Sequence, residues 1–264
     1  MGLHSAHTPG DAAVAAVLEA WFSSIAGRRF AALEQHLLSG ALPDLFGYHI
    51  VQLGRHLPVD LLDASRISHR VVVDVGAGAD AATSLRCAED ALPFGAGLVD
   101  VLVLPHVLEF TDDPRRVLRE AERVLIGEGH LVVLGFNPWS WYGPWSLARR
   151  WQGRAPWNGH FVSVPRLKDW LQLLGFDIVQ VRHAGFRPPM HSQRLDRYTA
   201  FVERLGAYCC PPLGGVYLVV GKKRVEGVTP LRVTWRQRRR LLAGGVVEPS
   251  TRGYGATPCG DRLP

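Results

Sequence analysis

Three consecutive stretches constrain the fold more than any other part of the chain. DVLVLPH (100–106) is a short apolar run. DDPRRVLREAERVL (112–125) carries apolar residues at helical spacing with Pro114 at its start, and HLVVLGF (130–136) is apolar again. Short apolar runs bounded by turn residues read as buried strands, and the middle stretch reads as a helix that opens on its proline. The alternation extends in both directions. YHIVQLG (48–54), HRVVVDV (69–75) and the weaker TSLRC (83–87) are strand candidates before it, with a short helix, VDLLDASRIS (59–68), between the first two. After it come the helix VPRLKDWLQLLG (164–175), stopped by Gly175, and the strands FDIVQVRH (176–183) and GGVYLVVGKKR (214–224). Strands alternating with helices define an α/β layered fold around a mainly parallel sheet. Two amphipathic helices, 11–26 and 28–39, divided near Gly27, are expected before the first strand, and Gly40 and Pro43 end that section.

With 47% hydrophobic residues in 264, the chain has the means to bury a core. Its net charge of +6 is unevenly distributed: residues 222–264 hold ten Lys/Arg against three Asp/Glu, while residues 1–221 hold 20 against 21. The basic character therefore belongs to the tail, and the pattern of elements fails there as well. The tail from residue 226, with WRQRRR at 235–240, reads as a disordered extension able to contact nucleic acid or an acidic partner through phosphates or carboxylates. Cys87, Cys209, Cys210 and Cys259 form no C-x-x-C pair, and the histidines show no ligand spacing along the chain, so no metal site is indicated. No apolar run reaches the ~18 residues of a membrane span, so a cytoplasmic protein is expected.

The stretch ALPFGAGLVDVLVLPHVLEFTDDPRRVLREAERVLIGEGHLVVLGFNP (91–138) resembles the second half of a class I S-adenosylmethionine-dependent methyltransferase domain of the type 11-like kind. That family has an acidic segment ending in L-P-F, a fourth strand ending in H-x-L-E, a D-P-x-x-x-L-x-E-x-x-R-V-L helix, a tight turn and a fifth strand. FVSVPRLKDWLQLLGFDIVQVRH (161–183) resembles its later helix and sixth strand. More narrowly, LFGYHIVQLG joined to ALPF, HVLEF and GFNP resembles a small bacterial group with a degenerate first cofactor loop. The resemblance implies a Rossmann-like three-layer sandwich with a seven-stranded, mainly parallel sheet. The domains expected are an N-terminal helical cap (1–44), the methyltransferase-like domain (45–225) and the basic tail (226–264).

The resemblance also implies S-adenosylmethionine as cofactor, and chain length decides where its first glycine lies. VVVDVGAGAD (71–80) has the look of a cofactor loop, but only 22 residues separate Gly78 from Asp100, where the fourth strand begins. Two helices and two strands do not fit there, since one βαβ unit takes roughly 30 residues. With the first strand at YHIVQLG, Gly54 stands 46 residues before Asp100 and 20 before Asp74. The second spacing suits a ribose-binding acid at the end of strand two. Gly54 and Asp74 thus become cofactor candidates, and Gly76 and Gly78 a turn. The loop after Gly54 reads R-H-L-P, where the family has further glycines; bulky side chains and a proline obstruct close backbone approach. At the place of the family's adenine-contacting acid stands Ala88, followed by Glu89 and Asp90, so Glu89, Asp90 and Leu92 form the candidate adenine segment.

His106 ends the fourth strand, where open α/β sheets bind ligands. It is a weak catalytic candidate for proton removal; packing and hydrogen bonding are the alternative role. The loop after strand five, GFNPWSWYGPW (135–145), offers Asn137, Trp139, Trp141 and Tyr142 as an acceptor-side wall. The function expected is methyl transfer by in-line displacement from sulfonium to an unidentified small or medium acceptor. The rival expectation is a cofactor-less methyltransferase fold that acts through a protein or nucleic-acid partner.

Overall fold

The computed structural model describes residues 20–54, 60–74, 85–140, 160–186 and 211–225, all within the compact unit Met1–Glu226. The strands are β1 (His49–Leu53), β2 (His69–Asp74), β3 (Leu85–Arg86), β4 (Val99–Pro105), β5 (Leu125–Phe136), β6 (Phe176–Ala184) and β7 (Val216–Lys223). They form one seven-stranded sheet in the order β3-β2-β1-β4-β5-β7-β6. The pairs through β5 are parallel, and β7 runs antiparallel to both β5 and β6. β1 lies centrally between β2 and β4, so YHIVQLG holds the first strand, with Gly54 just after it, and VVVD ends the second.

Alternation along the strands builds two cores. Val51, Leu53, Leu102, Leu104, Leu131 and Val133 face one side; there α3 (Pro114–Val124) and α4 (Val164–Leu173) supply Val117, Leu118, Leu167 and Leu171. Ile50, Val101, Val103, Val132 and Leu134 face the other side, packed by α1 (Ile25–Ser39) and the segment around Leu61, Leu62 and Ile67. With helices on both faces, β4 is buried along its whole length, which explains its unbroken apolar sequence. The Asp113 carboxylate accepts from the N–H groups of Arg115 and Arg116, capping α3 where Pro114 opens it.

Three local expectations change. The break between the N-terminal helices is at Ser23–Ser24, and Gly27 lies in the first turn of α1, whose Ser24 cap accepts from its N–H. A Cβ on Gly27 would run into the backbone of Trp21 and Phe22, so this glycine allows a close approach. The short helix expected between strands one and two is, from Asp60 on, a set of turns. Arg70 there donates to the carbonyls of Ile67, Ser65 and Asp63, doing for that backbone what helical bonds would have done. The IGEG turn lies inside the span of β5. Pairing steps from Val99↔Leu125 to Val101↔His130, so these residues loop out of register, with Glu128 at φ 68°.

Candidate functional site

The C-terminal ends of β1, β2 and β4 carry three of the residues singled out from sequence, Gly54, Asp74 and His106. Gly54 follows β1 with φ 87°, a conformation that costs any L side chain roughly 1–2 kcal/mol. Its N–H donates to the Val73 carbonyl at 2.8 Å, and its own carbonyl accepts from the buried Gln52 amide at 2.8 Å. Leu53 pairs with Val73, so Gly54 and Asp74 end neighbouring strands at the same level. Nothing in the local pattern singles out Gln52. An apolar neighbour pattern with one polar residue two before the glycine was its only trace.

The adenine candidates follow β3. Cys87 N–H bonds to the Asp74 carbonyl, which ties this segment to the end of β2. Burial pushes the Cys87 thiol up to about 12, with the Glu89 and Glu120 charges adding to it, so it stays a neutral packing group. Asp90 is exposed and 3.7 Å from the Arg116 guanidinium. Glu89 is half-buried. Leu92 is buried; its N–H donates to the Glu120 carboxylate at 2.8 Å, and its carbonyl accepts from Arg123 at 3.3 Å. Arg123 also donates to the Phe94 carbonyl and to Glu120, so α3 clamps the L-P-F segment through two charged side chains. The hydrogen bond from Arg123, ahead of the Leu92 N–H, holds the Glu120 carboxyl below the usual carboxylate range.

His106 is fully buried beyond the end of β4, at φ 56°. Its Nε2 donates to Glu34 of α1 at 2.8 Å, and its Nδ1 donates to Glu109 at 3.0 Å. Glu109 sits in the short helix α2 (Val107–Phe110) and also accepts from the Phe136 N–H. The imidazole stacks on Phe136, with centroids 4.2 Å apart. Two carboxylates facing both ring nitrogens require both to be donors, which only the imidazolium provides. Burial acts to lower its pKa, but the charges and hydrogen bonds of Glu34 and Glu109 prevail and hold it up at about 10. Burial raises the Glu109 carboxyl, against the opposing pull of His106 and the Phe136 N–H. Glu34 Oε2 and the Tyr217 hydroxyl are buried and find no partner among the described residues. Glu34 lies 72 residues from its histidine, so no local pattern could announce this cluster.

In the loop after β5, Asn137 is buried, and its amide donates to the carbonyls of Pro212 and Gly214, tying the loop to the entry of β7. Its side-chain oxygen accepts from the backbone N–H of Trp139, a residue 68% exposed. Trp141, Tyr142 and the basic tail lie outside the described residues, as do Arg55, His56, Pro58, Gly76 and Gly78. Among the described residues, no group of three or more His, Cys, Asp or Glu side chains is placed to hold a metal ion, and no helix is long and apolar enough to cross a membrane.

A methyltransferase domain family matches residues 59–133, beginning five residues after Gly54. The chain is 32% identical over 186 residues to the uncharacterised protein YafS of Escherichia coli K12, covering 70% of this chain and 72% of YafS. Among solved structures it is similar to a Thermotoga maritima SAM-dependent methyltransferase, described as a possible histamine N-methyltransferase. That likeness has a TM-score of 0.59 at 19% identity, over 80% of this chain and 100% of the other. It is also similar to a SAM-dependent methyltransferase from Archaeoglobus fulgidus, with a TM-score of 0.51 at 19% identity, over 73% and 94%. The chain belongs to the class I S-adenosylmethionine-dependent methyltransferase superfamily. At that identity and coverage the chain and YafS are members of one family.

Proposed function

We propose that this protein transfers a methyl group from S-adenosylmethionine to a small or medium acceptor at the C-terminal edge of the sheet. The observation that carries the reading is the juxtaposition of Gly54 and Asp74 at the ends of β1 and β2. The glycine has no side chain to obstruct a ligand laid against it, and the acid beside it suits the paired hydroxyls of a ribose. Glu89, Asp90 and Leu92 border the place for adenine. The cofactor, when bound, supplies a methyl group on a positively charged sulfur that a nucleophile can attack. His106 does not remove the acceptor's proton, since both its nitrogens are engaged with carboxylates and no surface of it is exposed. It acts as a positioning residue for the end of β4. The chain's contribution to rate is then chiefly orientation of the two reactants. Trp139, Trp141 and Tyr142 are the candidates for the acceptor's wall, with Asn137 fixing the loop that carries them.

One observation favours a second reading, a fold without cofactor that works through a partner. The Leu92 N–H, a natural donor to a bound base, is already engaged by Glu120. Calorimetric titration with S-adenosylhomocysteine separates the two readings. Micromolar binding by the full chain, weakened at least tenfold in Asp74→Ala, is the expected result. A folded chain that binds none would shift the function to the partner-binding reading.

A further inference from the structure

The opposite end of the sheet holds a pair of histidines that the sequence disguises. His49 opens β1 and His69 opens β2, 20 residues apart along the chain, a spacing with no helical or turn meaning. In the parallel register they are directly paired, so both side chains leave the same face. Their Nδ1 atoms are 3.0 Å apart, the rings are nearly perpendicular at 89°, and both residues are exposed. The backbone beneath is held by Asp100, whose carboxylate accepts from the N–H groups of Tyr48 and His49 at 3.1 and 2.9 Å. Two imidazole nitrogens therefore face each other at a framed strand end, close enough to share one ligand.

We propose that His49 and His69 chelate a first-row divalent cation through their Nδ1 atoms, with water completing the shell. An ion about 2.05 Å from each nitrogen, a usual metal–imidazole distance, would see two nitrogens 3.0 Å apart at an angle of roughly 94°. That is the cis angle of tetragonal and octahedral ions, and well short of tetrahedral. The geometry selects Cu2+ and Ni2+ over Zn2+. In the metal-free pair, one Nδ1–H donates to the other Nδ1. On binding, that proton moves to the exposed Nε2 of its own ring, so both Nδ1 lone pairs reach the metal and no oxidation or external base is involved. The site lies at the strand ends remote from Gly54 and Asp74 and is independent of the cofactor reading.

The test uses the untagged full chain, titrated with Ni2+ and separately with Zn2+ in a weakly coordinating buffer at pH 7.5, beside His49→Gln and His69→Gln. With eleven histidines in the chain, single-residue binding forms a weak background. A chelate differs from it by needing both residues, because the second donor acts intramolecularly. The expected result is one equivalent of Ni2+ that binds more tightly than Zn2+ and at least tenfold more weakly in either variant. Ni2+ should also raise the melting temperature of the wild type and leave both variants unchanged. A site that survives either substitution, or no one-equivalent site in the wild type, overturns the proposal. Tighter binding of Zn2+ than of Ni2+ overturns the geometry assigned to it.

Discussion

At the scale of single residues, His106 shows how one side chain can be decisive without touching a substrate. Its imidazolium joins α1 to the end of β4, and each nitrogen has its own carboxylate. The sign of its pH dependence follows from its raised pKa. The folded state holds the proton up to about pH 10, whereas an unfolded histidine loses it near 6.5. Its contribution to stability is complete below about 6.5, declines above it, and is gone beyond the folded value. Glu109 works in the same direction, because a carboxyl raised by burial favours the folded state most at low pH. Urea unfolding of the wild type should lose stability between pH 6.5 and 9.5 at up to about 1.4 kcal/mol per pH unit. His106→Gln should be less stable at pH 6.5 and should show a much flatter profile. An equal slope in wild type and variant would remove the imidazolium from the account. Cluster and histidine differ in how they could be read. The location of His106 follows from an apolar run ending in P-H, but its charge depends on Glu34, which only the folded chain brings near.

At the scale of elements, the apolar runs gave away the strands because each lies between two helical layers and needs no polar face. VLVLP in β4 and VVLGF in β5 are of this kind. Where backbone is held by side chains from elsewhere, the pattern was silent. IGEG is excluded from the sheet register by pairing geometry, and the segment after Asp60 relies on Arg70 in place of a helix. The L-P-F segment is the clearest case, since its conformation depends on α3. Glu120 is largely shielded, with 13% of its side chain accessible, and holds both the Leu92 N–H and Arg123. Glu120→Ala leaves a partly buried donor without partner, and should cost about 1–3 kcal/mol. Arg123→Ala removes bonds to Leu92, Phe94 and Glu120 together. Because the two side chains share one network, their effects should fall short of additive by about 0.5 kcal/mol or more in a double-mutant cycle read from chemical denaturation. Strict additivity would mean that the two residues hold the segment separately. The same variants bear on the cofactor edge: Glu120→Ala releases the Leu92 N–H, so any gain in S-adenosylhomocysteine affinity would trace to that donor.

At the scale of the whole molecule, the identity of the first strand was readable from length, since starting at VVVDVGAGAD leaves too little room for the elements expected before β4. The order of strands in the sheet came only with the fold. The integration of the N-terminal helix was not readable, because an amphipathic stripe says that a face is buried without saying against what. The match to the methyltransferase family covers 59–133 and leaves α1 outside it. Yet α1 and the helical residues just before it bury Phe22, Phe30, Leu37 and Leu38, with none more than 6% exposed, in the core formed by Val132, Leu134, Val216 and Leu218. At roughly 1.5–3 kcal/mol for each large apolar side chain, these four contribute on the order of 6–12 kcal/mol as an upper bound. That is comparable with the whole stability of an ordinary domain, about 5–15 kcal/mol. Helix α1 also supplies Glu34, without which His106 keeps only one of its two carboxylates. Deleting residues 1–40 should therefore do more than expose a surface: the shortened chain should lose its cooperative thermal transition and bind a hydrophobic dye in buffer. A deletion variant that melts cooperatively within a few degrees of the full chain would show α1 to be an appendage, and would assign the core to strands and later helices alone.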